Sequence, residues 1–424
     1  MALDGEYTYV GFGFGPIQAG LFLCEAFGSG HFRRLVVAEI DPSLVDELRR
    51  AGGTCAVNVA HADHVETVEV GPVEILDPND NADRAALTAA VAEAHEIATA
   101  VPSVATYASD GPASLHRVLA EGLADRDEPA VIYAAENQNA AAESLRALVE
   151  SEAGPLGEHV QFLNTVIGKM SGRPAEPAKH GLAPITPASD RAFLVESFNR
   201  ILIETVRLSG FRRGIDVFEE KDDLLPFEEA KLFGHNATHA LGGYLAGLVG
   251  LDEMAELPEV PGMMPFLRDA FLDESGAALV RKHRGADRLF TPAGYRDYAD
   301  DLLRRMTNPL LLDSVERVVR DPERKLGWND RLVGTIRLAL SQGVRPARYA
   351  VGAAAALAHV DPGFLHGRVS TDDLTGPLWE EDHPDPRQKA RTLRLIERGG
   401  LFLSDWQDFG FEDVRQAFED NSDI

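Results

Sequence analysis

The residues best suited to chemistry stand together in one stretch, Pro226-Phe-Glu228-Glu229-Ala-Lys231-Leu-Phe-Gly-His235-Asn236-Ala-Thr-His239-Ala. At roughly 100° per residue of helix, Glu228 lies about 60° from Lys231 and His239 about 80°, with Asn236 at the margin of the same face. Such a face offers a proton acceptor, a polar donor and a charge partner around one hydroxyl. Oxidising an alcohol removes the hydroxyl proton while hydride leaves the carbon, and a desolvated lysine with a lowered pKa can serve as the base. The run at 241–251 is apolar and glycine-rich, so the polar cluster begins a buried helix. A metal is the poorer reading. His235 and His239 are four apart, but Asn236 stands where the zinc-protease pattern needs Glu, and no third ligand is evident. The expected site holds no metal.

A second constellation lies near the start, Gly11-Phe-Gly13-Phe-Gly15-Pro-Ile-Gln-Ala-Gly20. It follows a strand-like run and opens a helix, which is where glycines let a pyrophosphate approach the backbone and rest on a helix N-terminus. Two registers are possible. Gly11-x-Gly13 puts Pro16 at the third glycine position, whereas Gly13-x-Gly15 puts Gln18 there and turns Ile17, Gly20, Leu21 and Cys24 toward the sheet. The second is preferred, with Gly13, Gly15, Ile17 and Gln18 as cofactor contacts. The next strand ends in Val36-Val37-Ala38-Glu39-Ile40-Asp41. A carboxylate at Glu39 can accept from adenosine ribose hydroxyls and would repel the 2′-phosphate of NADP, so NAD is the expected cofactor.

Strand-like runs at 7–10, 35–40, 97–101 and 130–134 alternate with helical ones at 15–27, 82–94, 114–123 and 139–149. That alternation predicts a parallel sheet covered by helices. Residues 168–187 carry four prolines and read as a domain connection. Beyond them the pattern is helical at 193–209, 228–248, 294–306, 308–319, 330–340 and 348–358. The expected architecture is α/β: an N-terminal Rossmann-like parallel-sheet domain over 1–191, then a mostly α-helical substrate and catalytic domain over 192–424.

The bulk properties agree with this. A chain of 424 residues, 45% hydrophobic and 26% charged, has the balance of a globular protein with two cores. A net charge of −27 argues against nucleic acid and anionic membranes as partners and favours a monomer or weak oligomer. Two cysteines cannot build a disulfide framework, which points to a reducing cytoplasmic setting. Residues 1–10 show no signal-peptide pattern, and the apolar runs at 240–251 and 350–358 fall short of the roughly 18–20 residues of a spanning helix.

The lysine segment resembles the Lys-x4-Asn-x2-His signature of the polyol-specific long-chain dehydrogenases, the mannitol dehydrogenase family, and is most similar to its mannitol-1-phosphate 5-dehydrogenase branch. Other matches run along the chain: the glycine turn, Ala135-Glu136-Asn137, Phe162-Leu-Asn164-Thr, Glu274-Ser-Gly-Ala, and the stretch from Asn308-Pro through Asp313, Glu316, Arg317, Arg320, Arg324-Lys325-Leu and Asp330-Arg331-Leu. The resemblance implies Lys231 as general base in oxidation and general acid in reduction. It implies Asn137 and Asn236 as donors to the oxygen that becomes a carbonyl, and His239 as a substrate contact. Glu228 would relay the proton, with Glu229 as the next candidate. One departure stands out, since Ile167-Gly168-Lys169 replaces the family's usual Val-Asp-Arg and removes an aspartate that often touches substrate.

The expected activity is thus NAD-dependent oxidation of a secondary alcohol of a polyol or polyol phosphate. Residues 281–325 hold eleven Lys and Arg against eight Asp and Glu, a local +3 that favours the phosphate, unless those arginines only pair with neighbouring acids. Alternatives are a free-polyol or uronate dehydrogenase, a 6-phosphogluconate-dehydrogenase-like hydroxyacid oxidoreductase, and an NAD(H)-sensing regulator with no turnover.

Overall fold

Tyr9 and Val10 are adjacent in the chain yet join the cores on opposite faces of one sheet. This is the two-residue side-chain period of a strand covered on both sides. The computed structural model describes residues 5–421. Met1–Asp4, on which the signal-peptide expectation partly falls, lie outside the described residues. The chain divides into two compact units, Met1–Leu224 and Leu225–Ile424.

The first unit contains β1 (Tyr7–Phe12), β2 (Phe32–Ala38), β3 (Cys55–Ala60), β4 (Val65–Val70), β5 (Glu74–Leu76), β6 (Glu96–Thr99), β7 (Ala130–Ala134), β8 (Val160–Ile167), β9 (Ser171–Gly172), β10 (Leu194–Glu196), β11 (Ile201–Glu204) and β12 (Phe218–Lys221). Its main sheet runs in the order β12-β11-β8-β7-β6-β1-β2-β5. The six strands from β8 to β5 pair in parallel, and β11 turns antiparallel against β8. Strand order reverses about β1, with β2 on one side and β6 on the other, so a crevice opens beyond the carboxyl ends of these strands. Helices Asn81–Glu93, Leu115–Leu123 and Ala141–Ala153 cover one face. The helix starting at Pro16 and a small sheet of order β4-β3-β10-β9 cover the other.

Three expectations are corrected here. The helix expected at 193–209 is replaced by β10 and β11, and the first unit continues past 191 to Leu224. These strands span only three and four residues, and their partners are remote: Leu194 lies opposite Asn58, and Ile201 opposite Ile167. Apolar runs this short carry no usable period, and only tertiary pairing settles them. Nor do residues 168–187 lead out of the unit. They supply β9 and return to β3, where the Ala56 N–H donates to the Ile185 carbonyl (2.9 Å) and the Asn58 amide donates to the Ala183 carbonyl (2.9 Å).

The second unit is built from helices, among them a continuous one over residues 225–249, another over 263–282, and Pro292–Met306, Val333–Ser341, Ala347–Val360 and Pro386–Asp408. Small residues bring these axes close. A methyl added at Gly352 would lie 2.6 Å from Leu241 Cδ1, and one at Gly399 would lie 2.7 Å from the Ala350 carbonyl oxygen. The expected helix at 308–319 is interrupted at Leu312, whose φ of 50° cannot continue a right-handed helix, and restarts at Val315–Val319. No helix among the described residues is long and apolar enough to cross a membrane.

Candidate active site

Gly13 makes the first turn. Its φ of 82° is open to glycine, and an added Cβ would lie 2.9 Å from the Ala100 carbonyl oxygen. Gly15 is different in kind: a Cβ there would find only the Arg173 guanidinium, at 3.9 Å, so its side faces open space. Gly20 lets the helix close on the small sheet, since a methyl would fall 2.5 Å from Val195 Cγ1. Turn, close approach and helix packing therefore belong to Gly13, Gly15 and Gly20, which is the preferred register.

The crevice beyond these glycines is a cavity of about 820 Å³, lined by Gly13, Gly15, Ile17, Glu39, Asn137 and neighbours from the ends of β1, β2, β6 and β7. The cavity suits a dinucleotide in size, in its bare glycine wall and in the acid at the end of β2. Gln18, expected to touch cofactor, does not line it. Its side chain is buried under the sheet and donates to the Tyr9 hydroxyl (2.5 Å), and Gly11 leaves it room, because a methyl there would lie 2.1 Å from Gln18 Nε2. Glu39 reaches back over the turn. Its carboxylate accepts from the N–H groups of Phe14 (2.8 Å), Ile40 (2.8 Å) and Asp41 (2.9 Å).

Asn137 follows a buried anchor, Glu136, that the motif match includes without giving it a role. The Glu136 carboxylate accepts from the Thr99 hydroxyl (2.8 Å), the Val101 N–H (3.0 Å) and the Tyr107 hydroxyl. Burial pushes its pKa above the usual range, against these bonds. The network fixes the loop end from which Asn137 meets the cavity.

In the second unit, the lysine helix changes winding. Residues Leu225–Glu229 are α-helical, Ala230–Asn236 form a π-helical stretch, and Ala237–Val249 are α-helical again. In π winding the hydrogen-bonded neighbour is five residues on, so Asn236 stands over Lys231 instead of at the margin of its face. Packing holds the widened turn. A methyl at Gly234 would lie 2.5 Å from the Tyr295 hydroxyl, and Thr335 donates its hydroxyl to the Phe233 carbonyl (3.2 Å).

Lys231 is partly accessible yet largely surrounded by protein. That desolvation, followed by the nearby Arg331 guanidinium, lowers its pKa to about 8, while Glu228 pulls the other way. His239 Nε2 is 2.8 Å from Asp313, just past the break at Leu312. Burial opposes ionisation of Asp313, but the bond to His239 and the charges of His239 and Arg317 leave its pKa below the ordinary value. His235 is buried, and desolvation together with surrounding cations keeps it neutral. Glu229 is committed elsewhere, to Lys282 (2.6 Å) and His283 (2.7 Å). The structure therefore groups Glu228, Lys231, Asn236 and His239 on one helix, and places Asn137 with Gly13, Gly15, Ile17 and Glu39 in the first unit.

The basic stretch splits into two kinds of cation. Arg317 is held by Asp313 (3.0 Å), and Arg320 and Arg324 lie 4.0 and 3.9 Å from Asp321. Lys325 is only 5% exposed, sits 5.9 Å from the Tyr244 ring centre, and has no carboxylate within 4.0 Å among the described residues. Burial, then the charges of Arg331 and Arg324, bring its pKa down to about 8. Lys169, where the family usually has Arg, donates to the Phe198 carbonyl (3.0 Å) and to Asn199 (2.6 Å).

Fold and site together define the class: an oxidoreductase with a dinucleotide-type crevice in its first unit and a helical second unit. Residues 223–396 match the family described as Mannitol dehydrogenase C-terminal domain. The chain is 30% identical over 358 residues to mannitol-1-phosphate 5-dehydrogenase of Bacillus licheniformis, an alignment covering 82% of this chain and 86% of that one. It belongs to the mannitol dehydrogenase family. The enzyme of the same name from Exiguobacterium sibiricum is 29% identical, over 84% of this chain and 86% of that one. Among solved structures, a substrate-free D-sorbitol dehydrogenase shares the fold with a TM-score of 0.75 at 14% identity, covering 97% of this chain and 96% of that one. Pseudomonas fluorescens mannitol 2-dehydrogenase, in a ternary complex with NAD and D-mannitol, gives 0.71 at 18%, covering 99% and 95%.

Proposed function

We propose that the protein oxidises a secondary alcohol of a hexitol phosphate to the ketone with NAD, with mannitol 1-phosphate and fructose 6-phosphate as the reference pair. The observation that carries this reading is Lys231, lowered to about 8 beneath Asn236 on a π-helical turn. A lysine at that pKa is partly unprotonated near neutrality, so it can take the hydroxyl proton in oxidation and return it in reduction. Asn236, on the same helix, donates to the oxygen as it gains carbonyl character, a contribution of the oxyanion-hole kind. His239 is oriented by Asp313 and positions the substrate. Glu228, whose charge acts on Lys231, relays the proton to solvent; Glu229 is the poorer relay because Lys282 and His283 engage it. NAD, when bound, accepts the hydride. No metal enters this scheme, and the two histidines of the helix serve other ends.

The phosphate rests on Lys325, a buried ammonium on which Arg331 and Arg324 act more strongly than Asp321 and Asp330 and which has no carboxylate within 4.0 Å among the described residues, together with the relatives named for mannitol 1-phosphate. Hexitols, pentitols, uronates and their phosphates, compared by NADH absorbance, test the substrate. The expected result is a higher kcat/KM for mannitol 1-phosphate than for any unphosphorylated polyol. An equal or higher value for free mannitol or arabinitol would leave a polyol dehydrogenase and remove the phosphate.

Glu39 carries the choice of NAD over NADP, because its carboxylate at the end of β2 would face a 2′-phosphate. Ratios of kcat/KM should favour NAD in the wild type, and Glu39→Ser should narrow the ratio by about tenfold or more. A wild-type preference for NADP would show that another residue reads the ribose.

A further inference from the structure

The wall of the nucleotide cavity presents two carboxylates, Glu39 and Glu136, and one cation, Arg173. Both acids are already engaged, Glu39 by three backbone N–H groups and Glu136 by Thr99, Val101 and Tyr107. Arg173 is not comparably bound. Its Nη2 makes one long bond to the Phe14 carbonyl (3.4 Å), and its guanidinium lies 5.6 Å from the centre of the Phe193 ring. Among the described residues it has no carboxylate within 4.0 Å, in a chain with 68 of them. The same Nη2 is 3.9 Å from where a Gly15 Cβ would stand, so the fork overlooks the one glycine whose side is open to the cavity. Its backbone follows directly from β9, which is paired to β10 in the small sheet.

We infer that Arg173 is the pyrophosphate clamp of this cleft. The inference rests on reading the cavity as a dinucleotide site. No other Lys or Arg lines the cavity to meet a diphosphate brought against Gly15; a guanidinium fork supplies bidentate, charge-assisted donors with the matching geometry. The cost of recruiting it is small, since it gives up no ion pair, only the long bond to Phe14 and a distant contact with the Phe193 ring. Arg173 would then bind any nucleotide diphosphate and ignore the uncharged adenosine portion.

Equilibrium binding separates these contributions without turnover. NADH can be followed by nicotinamide fluorescence, and ADP-ribose and adenosine by calorimetry, on the wild type, Arg173→Gln and Arg173→Lys. The glutamine variant should weaken NADH and ADP-ribose by about 10- to 100-fold and leave adenosine unchanged. Its ADP-ribose affinity should also depend less steeply on salt, and lysine should restore part of the loss. Unchanged ADP-ribose affinity in Arg173→Gln would overturn the assignment, and so would an equal loss for adenosine, which would mean a damaged cleft. A wild type that binds none of the three would remove the dinucleotide reading itself, and the clamp with it.

Discussion

Lys231→Ala should lower kcat in both directions by about 10²- to 10⁴-fold while NADH affinity changes little, because the proposed base acts on substrate and the nucleotide cavity is lined by residues of the first unit. The pH profile gives a sharper signature. Oxidation needs the neutral amine, so wild-type kcat/KM for free mannitol, which makes no demand on Lys325, should climb as pH rises through about 8 and then level. Reduction needs the ammonium, so its kcat/KM should hold below that pH and fall above it. Both limbs should vanish in the alanine variant. Glu228→Gln removes a nearby charge that raises the lysine pKa and should shift both midpoints downward. Alanine activity within tenfold of wild type, or profiles that keep their midpoints without the lysine, would require a different base. Full inhibition by a chelator, reversed by zinc, would assign the chemistry to a metal.

The second large effect concerns substrate choice. Lys325→Gln should reduce kcat/KM for mannitol 1-phosphate by about 10- to 100-fold while changing free mannitol far less, since a charge-assisted bond to phosphate is lost. Lys325 also titrates near 8, lowered by burial and by Arg331 and Arg324. The wild-type preference for phosphate should therefore be largest below about pH 8 and shrink above it. Lys231 affects both substrates alike and cancels in the ratio, so above about pH 7, where the substrate phosphate is mostly a dianion, the ratio reports the second lysine. A preference that is flat with pH and unmoved by Lys325→Gln would make this a structural lysine and the basic stretch a seam of ion pairs.

Much of this site was legible because its residues obey local rules. Gly13 needs a positive φ and Gly15 an open side, and both needs are written into a short motif between a strand and a helix. Lys231, Asn236 and His239 are readable as a spacing, but their geometry was misjudged, because α-helical arithmetic cannot foresee a π stretch that packing at Gly234 and Thr335 holds open. Gln18 was misplaced for a related reason: its backbone lies at the cofactor end, while its amide turns inward to Tyr9. The strands β10 and β11 were invisible because each is held between partners elsewhere in the chain, β3 and β9 for the first and β8 and β12 for the second. Arg173 carries no motif at all. A folded sheet was needed to bring it above a glycine far away in sequence.

The π turn at Ala230–Asn236 has a consequence for how the helix can change. One extra residue per wide turn puts the stretch before it and the stretch after it out of phase by about 100° of rotation. The front of the helix, from Leu225 to Glu229, and the back, from Ala237 to Val249, therefore answer to two separate hydrophobic stripes. Substitutions that tune the proposed proton route through Glu228 need not disturb the seam where Leu241 meets Gly352. A single-residue deletion between them would be silent in the topology, yet it would rotate the lysine away from its asparagine. The helix behaves as two parts joined by a fixed offset, and the offset itself is the element that selection must guard.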